Sequence, residues 1–329
     1  MTPDIPPFIP RPYLKNGHLM TIYCWAARRR LRLPAPEARL FQVTPDTQVL
    51  AHCYWHTDRR AHPTLLALHG LEGSSAAHYM LGLADKALHA GFNAVLLNQR
   101  NCGGTEHLGP GLYHSGLIED AAFVIRELAA DGHDRVVVAG YSLGGNLALR
   151  LAGTIGDALP SLKAVCAVSP VAELAECVDA LERGANVVYQ WNFVRHLRNR
   201  MRRKAQTFPG LFDLAPLSDI RTVRQFDDVY TAPYFGFGTA KNYYYQAAAM
   251  RVIGRIQVPA LIISAEDDPF VPVQTLRSAP VSSNPNVRLV APAHGGHCGF
   301  LAQPASRDDD GYWAERAIIQ FAQSALRDP

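Results

Sequence analysis

Six short apolar runs recur along the chain, and each is continuous rather than alternating with polar residues. Such runs are expected of strands that are buried on both faces of a parallel sheet. We predict these strands at Thr64–Leu68, Ala94–Asn98, Arg135–Ala139, Lys163–Val168, Ala260–Ser264 and Val287–Ala291. Two earlier runs, Arg39–Val43 and Val49–Trp55, flank Pro45 and Asp46 and predict an antiparallel hairpin at one edge of the sheet.

Between the predicted strands, apolar residues recur at helical spacing. In Ala76–Ala90 they fall three and four positions apart, and the pattern ends at Gly91. Leu117–Ala130 repeats this arrangement. The alternation of strands and helices predicts an α/β fold with a mostly parallel central sheet and helices on both of its faces.

The alternation fails between residues 171 and 255, where helical patterns occur without a convincing buried strand. We predict that this stretch, the cap segment, is a helical cap or lid inserted into a core made of residues 36–170 and 256–329. The first 35 residues, the arm, are rich in proline and end in a basic run that begins at Arg28. Because such stretches seldom form a core of their own, we predict that the arm packs on the body.

Composition narrows the class of protein. The chain has 329 residues, 48% of them hydrophobic and 19% charged, which excludes a disordered chain. The net charge of +3 gives no global attraction to nucleic acid, so none is predicted as a partner. No run reaches the roughly 18 apolar residues of a membrane span, and the amino terminus does not resemble a secretory signal. The six cysteines form no C-x-x-C pair, so we expect free thiols and a cytoplasmic protein.

A candidate nucleophile lies between a predicted strand and an apolar helix. Gly140-Tyr141-Ser142-Leu143-Gly144 fits the pattern G-x-S-x-G, which places a serine at a sharp strand-to-helix turn. Side chains two residues before and after the serine would collide there, and glycine removes them. We predict that Ser142 is a nucleophile. The alternative is that the glycines allow close packing and Ser142 only caps the helix.

A serine nucleophile needs a base, and an acid to orient that base. Asp267 and Asp268 follow one predicted strand, and His294 and His297 follow the next. The register of the surrounding prolines favours Asp268, and Gly295-Gly296 would let His297 approach the turn. Asp267 and His294 remain alternatives, and either pair could simply serve its own loop. Because H-E-x-x-H and C-x-x-C spacings are absent, no metal site is predicted.

Acyl transfer also needs amide donors for the developing oxyanion. The amide of Leu143 follows the nucleophile directly. A second donor is predicted at Leu71, in the sequence His69-Gly70-Leu71-Glu72-Gly73 after the first parallel strand. An ordinary glycine turn is the alternative for this second segment.

Taken together, the motifs resemble the YheT-like branch of the α/β-hydrolases, whose eukaryotic relatives are membrane-anchored abhydrolase-domain lipases. The resemblance covers nearly the whole chain. It rests on Asn16–Thr21, His69–Ser74, Tyr113–Gly116, Gly140–Asn146, Gln225–Asp228, Asp267–Phe270 and His294–His297.

The resemblance implies a serine esterase or lipase-like hydrolase with Ser142, Asp268 and His297 as its triad. It implies carboxylic esters as substrates, with acylglycerols or phospholipids in some members, and the mechanism requires no cofactor. An acyltransferase or thioesterase with the same triad is the alternative, followed by a non-catalytic ligand-binding protein.

The chain departs from the expected pattern at three positions. Gly17 and Met20 stand where proline and glutamine are expected, and Asn101 stands where glycine is usual. The hydrophobic anchor of the eukaryotic relatives is also absent from the sequence, so a soluble form is expected.

Within the cap segment, Asn186–Ala205 predicts a helix with one apolar stripe and a basic last half. The stripe comprises Val187, Trp191, Val194, Leu197 and Met201, and the cations are Arg195, Arg198, Arg200, Arg202, Arg203 and Lys204. Packing of this stripe on the body is favoured, and transient contact with a membrane surface is the alternative. An aromatic cluster is predicted either to line an acyl pocket or to pack the cap; it comprises Tyr234, Phe235, Phe237, Tyr243, Tyr244 and Tyr245. Oligomeric state and acyl-chain length stay open.

Overall fold

The computed structural model describes residues 5–304, 306 and 309–327. Eight strands form one sheet: β1 (Glu37–Thr44), β2 (Thr47–Tyr54), β3 (Thr64–Leu68), β4 (Asn93–Leu97), β5 (Val136–Tyr141), β6 (Leu162–Val168), β7 (Ala260–Ile263) and β8 (Val287–Val290). The strand order is β1-β2-β4-β3-β5-β6-β7-β8. β2 pairs antiparallel with both β1 and β4, and every later pair is parallel. The predicted α/β fold, with a hairpin at one edge of a mostly parallel sheet, is confirmed.

The described residues contain twelve α-helices. They are α1 (Gly17–Ala26), α2 (His78–His89), α3 (Glu119–Ala130), α4 (Leu143–Ile155), α5 (Leu174–Leu181), α6 (Val187–Thr207), α7 (Val223–Phe226), α8 (Ala232–Tyr234), α9 (Ala240–Ala247), α10 (Val273–Leu276), α11 (Ala279–Ser282) and α12 (Trp313–Ala325).

The sheet is covered on both faces, which explains why its strands read as continuous apolar runs. In β3, Leu66 and Leu68 belong to one core with α3 and α4, while Leu65 and Ala67 belong to a second core with α2 and α12. Successive side chains of a strand point to opposite faces. In β3 every residue from Leu65 to Leu68 is therefore apolar and buried.

Between β6 and β7 the described residues form helices α5 to α9 and no strand. The longest of them, α6, buries the second half of its expected apolar stripe, from Val194 through Leu197 to Met201. The first half differs from the expectation, because Val187 and Trp191 are 62% and 61% exposed.

The basic end of α6 is only partly solvated. The Lys204 ammonium is buried, and it donates hydrogen bonds to the Asn101 side chain and to the carbonyls of Glu106 and Gly109. Arg203 pairs with the Glu106 carboxylate at 2.6 Å. The last turns of α6 therefore cross the loop that follows β4. One acceptor of the Lys204 ammonium is the side-chain oxygen of Asn101, at a position where glycine is usual in the resembled family.

The arm contains a helix, α1, that was not predicted because the surrounding sequence is rich in proline. The Asn16 side chain caps it by accepting a hydrogen bond from the Leu19 amide at 3.0 Å. Met20 and Cys24, one turn apart, are buried. Further along, the buried Arg29 guanidinium pairs with Glu315 of α12 and with Asp310. Among the described residues, no helix combines the length and hydropathy needed to cross a bilayer.

Candidate active site

Ser142 occupies a sharp turn between β5 and α4. Its φ of +54° and ψ of −114° lie in a region that non-glycine residues rarely adopt. A Cβ on Gly140 would overlap the carbonyl of Gly144, and a Cβ on Gly144 would overlap the carbonyl of Leu68. Side chains are therefore excluded at both glycines by backbone that cannot move aside.

The backbone of Ser142 is held from both sides. Its amide donates to the carbonyl of Val168 at 2.9 Å, and its carbonyl accepts from the amides of Asn146 and Val171. These bonds join the turn to the end of β6 and to α4. A strained backbone persists only where its surroundings fix it in this way.

Two backbone amides lie near Ser142. Leu143 is the first residue of α4, and amides of a first helical turn have no acceptor within the helix. The turn after β3 comes close as well, since a Cβ on Gly70 would lie 3.2 Å from the Cβ of Ser142. Next to Gly70, the amide of Leu71 donates to no other group in the part of the chain that the structure describes. Leu71, Ser142 and Leu143 line the same cavity.

The turn that carries Leu71 is tied to the cap segment through its next residue. The Glu72 amide donates to the Tyr113 hydroxyl at 3.1 Å. The Glu72 carboxylate pairs with the Arg200 guanidinium of α6 at 2.9 Å, and both side chains are buried. This link is not predictable from the sequence, because nothing in the pattern separates Arg200 from the other cations of α6.

Asp268 and His297 form a buried pair. The Asp268 Oδ2 atom lies 2.9 Å from His297 Nδ1, and the two side chains are 0% and 10% exposed. The other carboxylate oxygen accepts from the amides of Phe270 and Val271. Because an ionised carboxylate only accepts hydrogen bonds, this contact places a proton on Nδ1 of the ring. Burial lowers the pKa of His297, but the Asp268 carboxylate outweighs it and raises this pKa above its usual range.

Asp267 and His294 form a second, more open pair. Their closest atoms are 3.3 Å apart, and the side chains are 22% and 36% exposed. The other oxygen of Asp267 accepts from the amide of Gly296 at 2.9 Å. This pair therefore shapes the loop that carries His297.

The histidine loop is docked beside the serine turn. The Cys298 amide donates to the Ser169 hydroxyl at 3.1 Å. The Cys298 thiol lies 3.8 Å from the carbonyl of Val168, the same carbonyl that accepts from the Ser142 amide. The ring of Phe270 lies 4.0 Å from that of His297 and lines the cavity together with Ser142.

Helix α1 of the arm also holds this loop. The Thr21 hydroxyl accepts from the His297 amide at 2.8 Å and donates to the carbonyl of Gly17 at 2.6 Å. A Cβ on Gly17 would overlap the carbonyl of Asp267, so the departure from proline at this position coincides with a close backbone approach. In the sequence, Thr21 is the last residue of Asn16–Thr21, one of the segments that carry the resemblance, and no role was predicted for its side chain.

The cavity above Ser142 has a volume of about 80 Å³, well above the roughly 10–15 Å³ that one water needs. Its lining is mostly apolar, and α6 contributes Phe193, Leu197 and Arg200. Of the expected aromatic cluster, Tyr243 and Tyr244 line it. The others serve packing or are exposed: Phe235 and Phe237 contact His114, and Tyr234 and Tyr245 lie at the surface. The described residues include no cluster of three His, Cys, Asp or Glu side chains that could hold a metal ion.

The sequence profile of the alpha/beta hydrolase fold matches residues 63–304, which is more than half of the chain. The chain belongs to the α/β-hydrolase family. It is 36% identical to YheT of Escherichia coli, over 89% of this chain and 87% of that protein. It is 27% identical to the phospholipase ABHD3 of Mus musculus, over 96% of this chain and 80% of that one. Among solved structures, the esterase Pf2001 of Pyrococcus furiosus superposes with a TM-score of 0.57 at 15% identity, covering 97% of this chain and 98% of that chain.

These similarities confirm the resemblance to the YheT-like branch of the family. The expectation of an esterase- or lipase-like hydrolase is confirmed at the level of the family. The similarity to Pf2001 bears on the fold alone.

Proposed function

We propose that this α/β-hydrolase cleaves carboxylic esters through a covalent acyl-enzyme on Ser142, with His297 as the base and Asp268 orienting it. The observation that carries the proposal is the buried Asp268–His297 pair. The next residue, Cys298, brings its thiol to 3.8 Å from the β6 carbonyl that also accepts from the Ser142 amide. Asp267 and His294 are more exposed, and Asp267 accepts a hydrogen bond from the Gly296 amide of the histidine loop. The buried pair is therefore favoured as the acid and base.

The chemistry proceeds in two halves. As the Ser142 oxygen attacks the ester carbonyl, His297 Nε2 accepts the hydroxyl proton. The tetrahedral intermediate collapses, the bond to the alcohol breaks, and His297 returns the proton to the leaving oxygen. A water then attacks the acyl-enzyme and gives its proton to His297, after which the carboxylic acid leaves and Ser142 recovers its proton. Asp268 stabilises the imidazolium in both halves without taking a proton itself.

The negative oxygen of each intermediate is stabilised by the amides of Leu71 and Leu143. Each such donor is worth about 3–4 kcal/mol in the transition state of related reactions. The free Leu71 amide and the start of α4 support this assignment. The positive end of the α4 dipole adds to it.

For the substrate, we propose esters with an apolar acyl group. The largely apolar lining and the contributions from Phe193 and Leu197 support this class. The relative ABHD3 is named a phospholipase, which supports a lipid-like substrate here. On this proposal the cap segment covers the cavity, and the arm braces the histidine loop against the body. The six free cysteines support a reducing compartment, so the cytoplasm is proposed as its location.

A fluorophosphonate probe tests the proposal because it reacts with activated serines. Labelling is expected at Ser142, located by peptide mass spectrometry, and is expected to vanish in Ser142→Ala. His297→Ala should label far more slowly, whereas the matched variant His294→Ala should label at the wild-type rate. Labelling at another serine, or equal labelling of His297→Ala and wild type, would reject the mechanism.

Esters of p-nitrophenol with graded acyl chains then test the substrate class. We expect kcat/KM to rise from two-carbon chains to longer ones as apolar surface enters the cavity. A strong preference for two- to four-carbon acyl groups would contradict a lipid-like substrate.

A further inference from the structure

Helix α1 exposes apolar side chains on the face that points away from the body. It contains no Asp, Glu, Lys or Arg. Met20 and Cys24 face inward, while Leu19, Ile22, Tyr23 and Trp25 are 44–72% exposed. A surface helix ordinarily sets a polar face against solvent. An outward face this apolar indicates that something other than water covers it in use.

The start of α6 lies against the start of α1 and also exposes apolar side chains. The ring of His18 in α1 stacks on the ring of Tyr189 in α6, with a contact of 3.2 Å to its hydroxyl. The residues beside Tyr189, namely Val187, Val188 and Trp191, are all exposed. We define the α1–α6 surface as Leu19, Ile22, Trp25, Val187, Val188 and Trp191.

The two stretches of chain that carry the α1–α6 surface contain charged residues of one sign only. Residues 5–36 contain six Lys and Arg residues and no Asp or Glu, and residues 183–212 contain seven and none. Some of these cations are used internally, as Arg200 and Lys204 are. Others are exposed beside the apolar residues: Lys15 precedes α1, Arg28 and Arg30 follow it, and Arg195 lies over the ring of Trp191.

We propose that the α1–α6 surface docks on an anionic lipid–water interface. Apolar and aromatic side chains enter the boundary between headgroups and acyl chains, and the surrounding cations pair with lipid phosphates. A second copy of the chain fits less well, because it would bring two sets of like charges together. The inference rests on the proposed function in one respect, since docking would bring the enzyme to a lipid-like ester.

Docking at this surface would also place the active site close to the interface. The Thr21 hydroxyl of α1 holds the His297 amide. Tyr189 of α6 packs on Phe270 at 5.3 Å, and Phe270 lines the cavity. Of the two helices that expose the apolar residues, α1 therefore contacts the histidine loop and α6 contacts Phe270 on the aspartate loop.

Co-sedimentation with vesicles tests the proposal on the full chain. The wild type should sediment with phosphatidylcholine vesicles that contain phosphatidylglycerol and much less with phosphatidylcholine alone. The double variant Ile22→Ser/Trp25→Ser should bind the anionic vesicles at least tenfold more weakly, since it removes two large apolar side chains. Leu40→Ser is the matched control, because Leu40 is about half exposed on β1, at the opposite edge of the sheet. It should bind like the wild type, and melting curves should show all variants folded.

Hydrolysis of a soluble short-chain p-nitrophenyl ester separates failure of the docking proposal from failure of the proposed function. The double variant should keep wild-type activity on this ester, because neither side chain lines the cavity, and should lose activity on the same acyl group presented in anionic vesicles. A wild type without esterase activity would refute the proposed function, while its sedimentation would still report on docking.

Three results would overturn the docking proposal. They are no sedimentation of the wild type with anionic vesicles, unchanged binding of the double variant, and an equal loss in Leu40→Ser. Sedimentation velocity supplies a fourth. A wild-type dimer that becomes monomeric in the double variant would assign the surface to a second copy of the chain.

Discussion

Two aspartate–histidine pairs lie side by side in this protein and differ mainly in their surroundings. Asp268 and His297 are almost fully buried and 2.9 Å apart, whereas Asp267 and His294 are partly exposed and 3.3 Å apart. The two aspartates are adjacent in the sequence, and the two histidines are three positions apart. The same two side-chain types on the same two loops are therefore given different environments.

The two pairs differ in burial and not in residue type, and we propose that burial is what suits Asp268 and His297 to catalysis. Charges interact more strongly where water is excluded, and Asp268 is further fixed by the amides of Phe270 and Val271. Asp267 instead accepts from Gly296 and lies where α1 approaches the loop. We infer that Asp267 and His294, the outer pair, hold the histidine loop in place. Asp268 and His297, the inner pair, perform the chemistry.

The largest effect is expected from exchanging the two aspartates for asparagine one at a time. Asp268→Asn keeps an oxygen for the Phe270 and Val271 amides but turns an NH₂ group toward His297, which favours the wrong ring tautomer. A loss of about 10⁴-fold in kcat is expected. Asp267→Asn should lose less than tenfold. Steady-state kinetics on one p-nitrophenyl ester measures both.

Melting curves provide the control, because both variants should remain folded at the assay temperature. Equal losses in the two variants would erase the distinction between the pairs. A larger loss in Asp267→Asn would reverse it and make Asp267 and His294 the catalytic members.

The pH dependence of kcat/KM should separate the two aspartates as well. A general base acts only when unprotonated, so activity should rise with pH as His297 loses its proton. The Asp268 carboxylate raises the pKa of His297, so removing that charge in Asp268→Asn lowers the pKa and moves the acid limb to lower pH. A displacement of about one pH unit or more is expected. In Asp267→Asn the limb should not move, and an equal displacement there would contradict the assignment.

A smaller effect is expected from Thr21, which reaches the inner pair from the arm. Thr21→Val keeps the shape of the side chain but leaves the His297 amide without its acceptor. The lost hydrogen bond should lower the free energy of unfolding by about 1–3 kcal/mol. We expect kcat to fall about tenfold with little change in KM, because the cavity lining is untouched. Thr21→Ser restores the hydroxyl and should restore kcat. Failure of serine to rescue would mean that Thr21 serves packing alone.

The strands, the serine turn and the two loops that build this site are largely predictable from the sequence. The predicted β3 has the same bounds as the observed strand, Thr64–Leu68, because local apolar patterning is enough to mark a strand buried on both faces. The serine turn is equally local, since five consecutive residues bring their own steric requirement. The positions of the aspartate loop and the histidine loop are predictable too, because each loop comes directly after a predicted strand.

Which aspartate and which histidine form the buried pair could not be predicted in the same way. Both pairs lie after the same two strands, and the histidine loop is held by α1, whose Thr21 is 276 positions from His297. The Arg200–Glu72 ion pair joins residues 128 positions apart. Contacts of this kind depend on how the cap segment and the arm pack, so spacing along the chain does not reveal them.

The smallest effect is expected at His294, and it decides whether the outer pair has any part in the chemistry. His294 contacts Asp267 at 3.3 Å and is more than a third exposed, so the contact should contribute less than about 1 kcal/mol to the free energy of unfolding. Asp267 keeps its bond to the Gly296 amide in His294→Ala, so the loop should keep its shape. Urea unfolding and steady-state kinetics should therefore give values close to wild type. A loss of activity in His294→Ala approaching that of His297→Ala would show that the two histidines share the proton transfer, and the division between the pairs would fail.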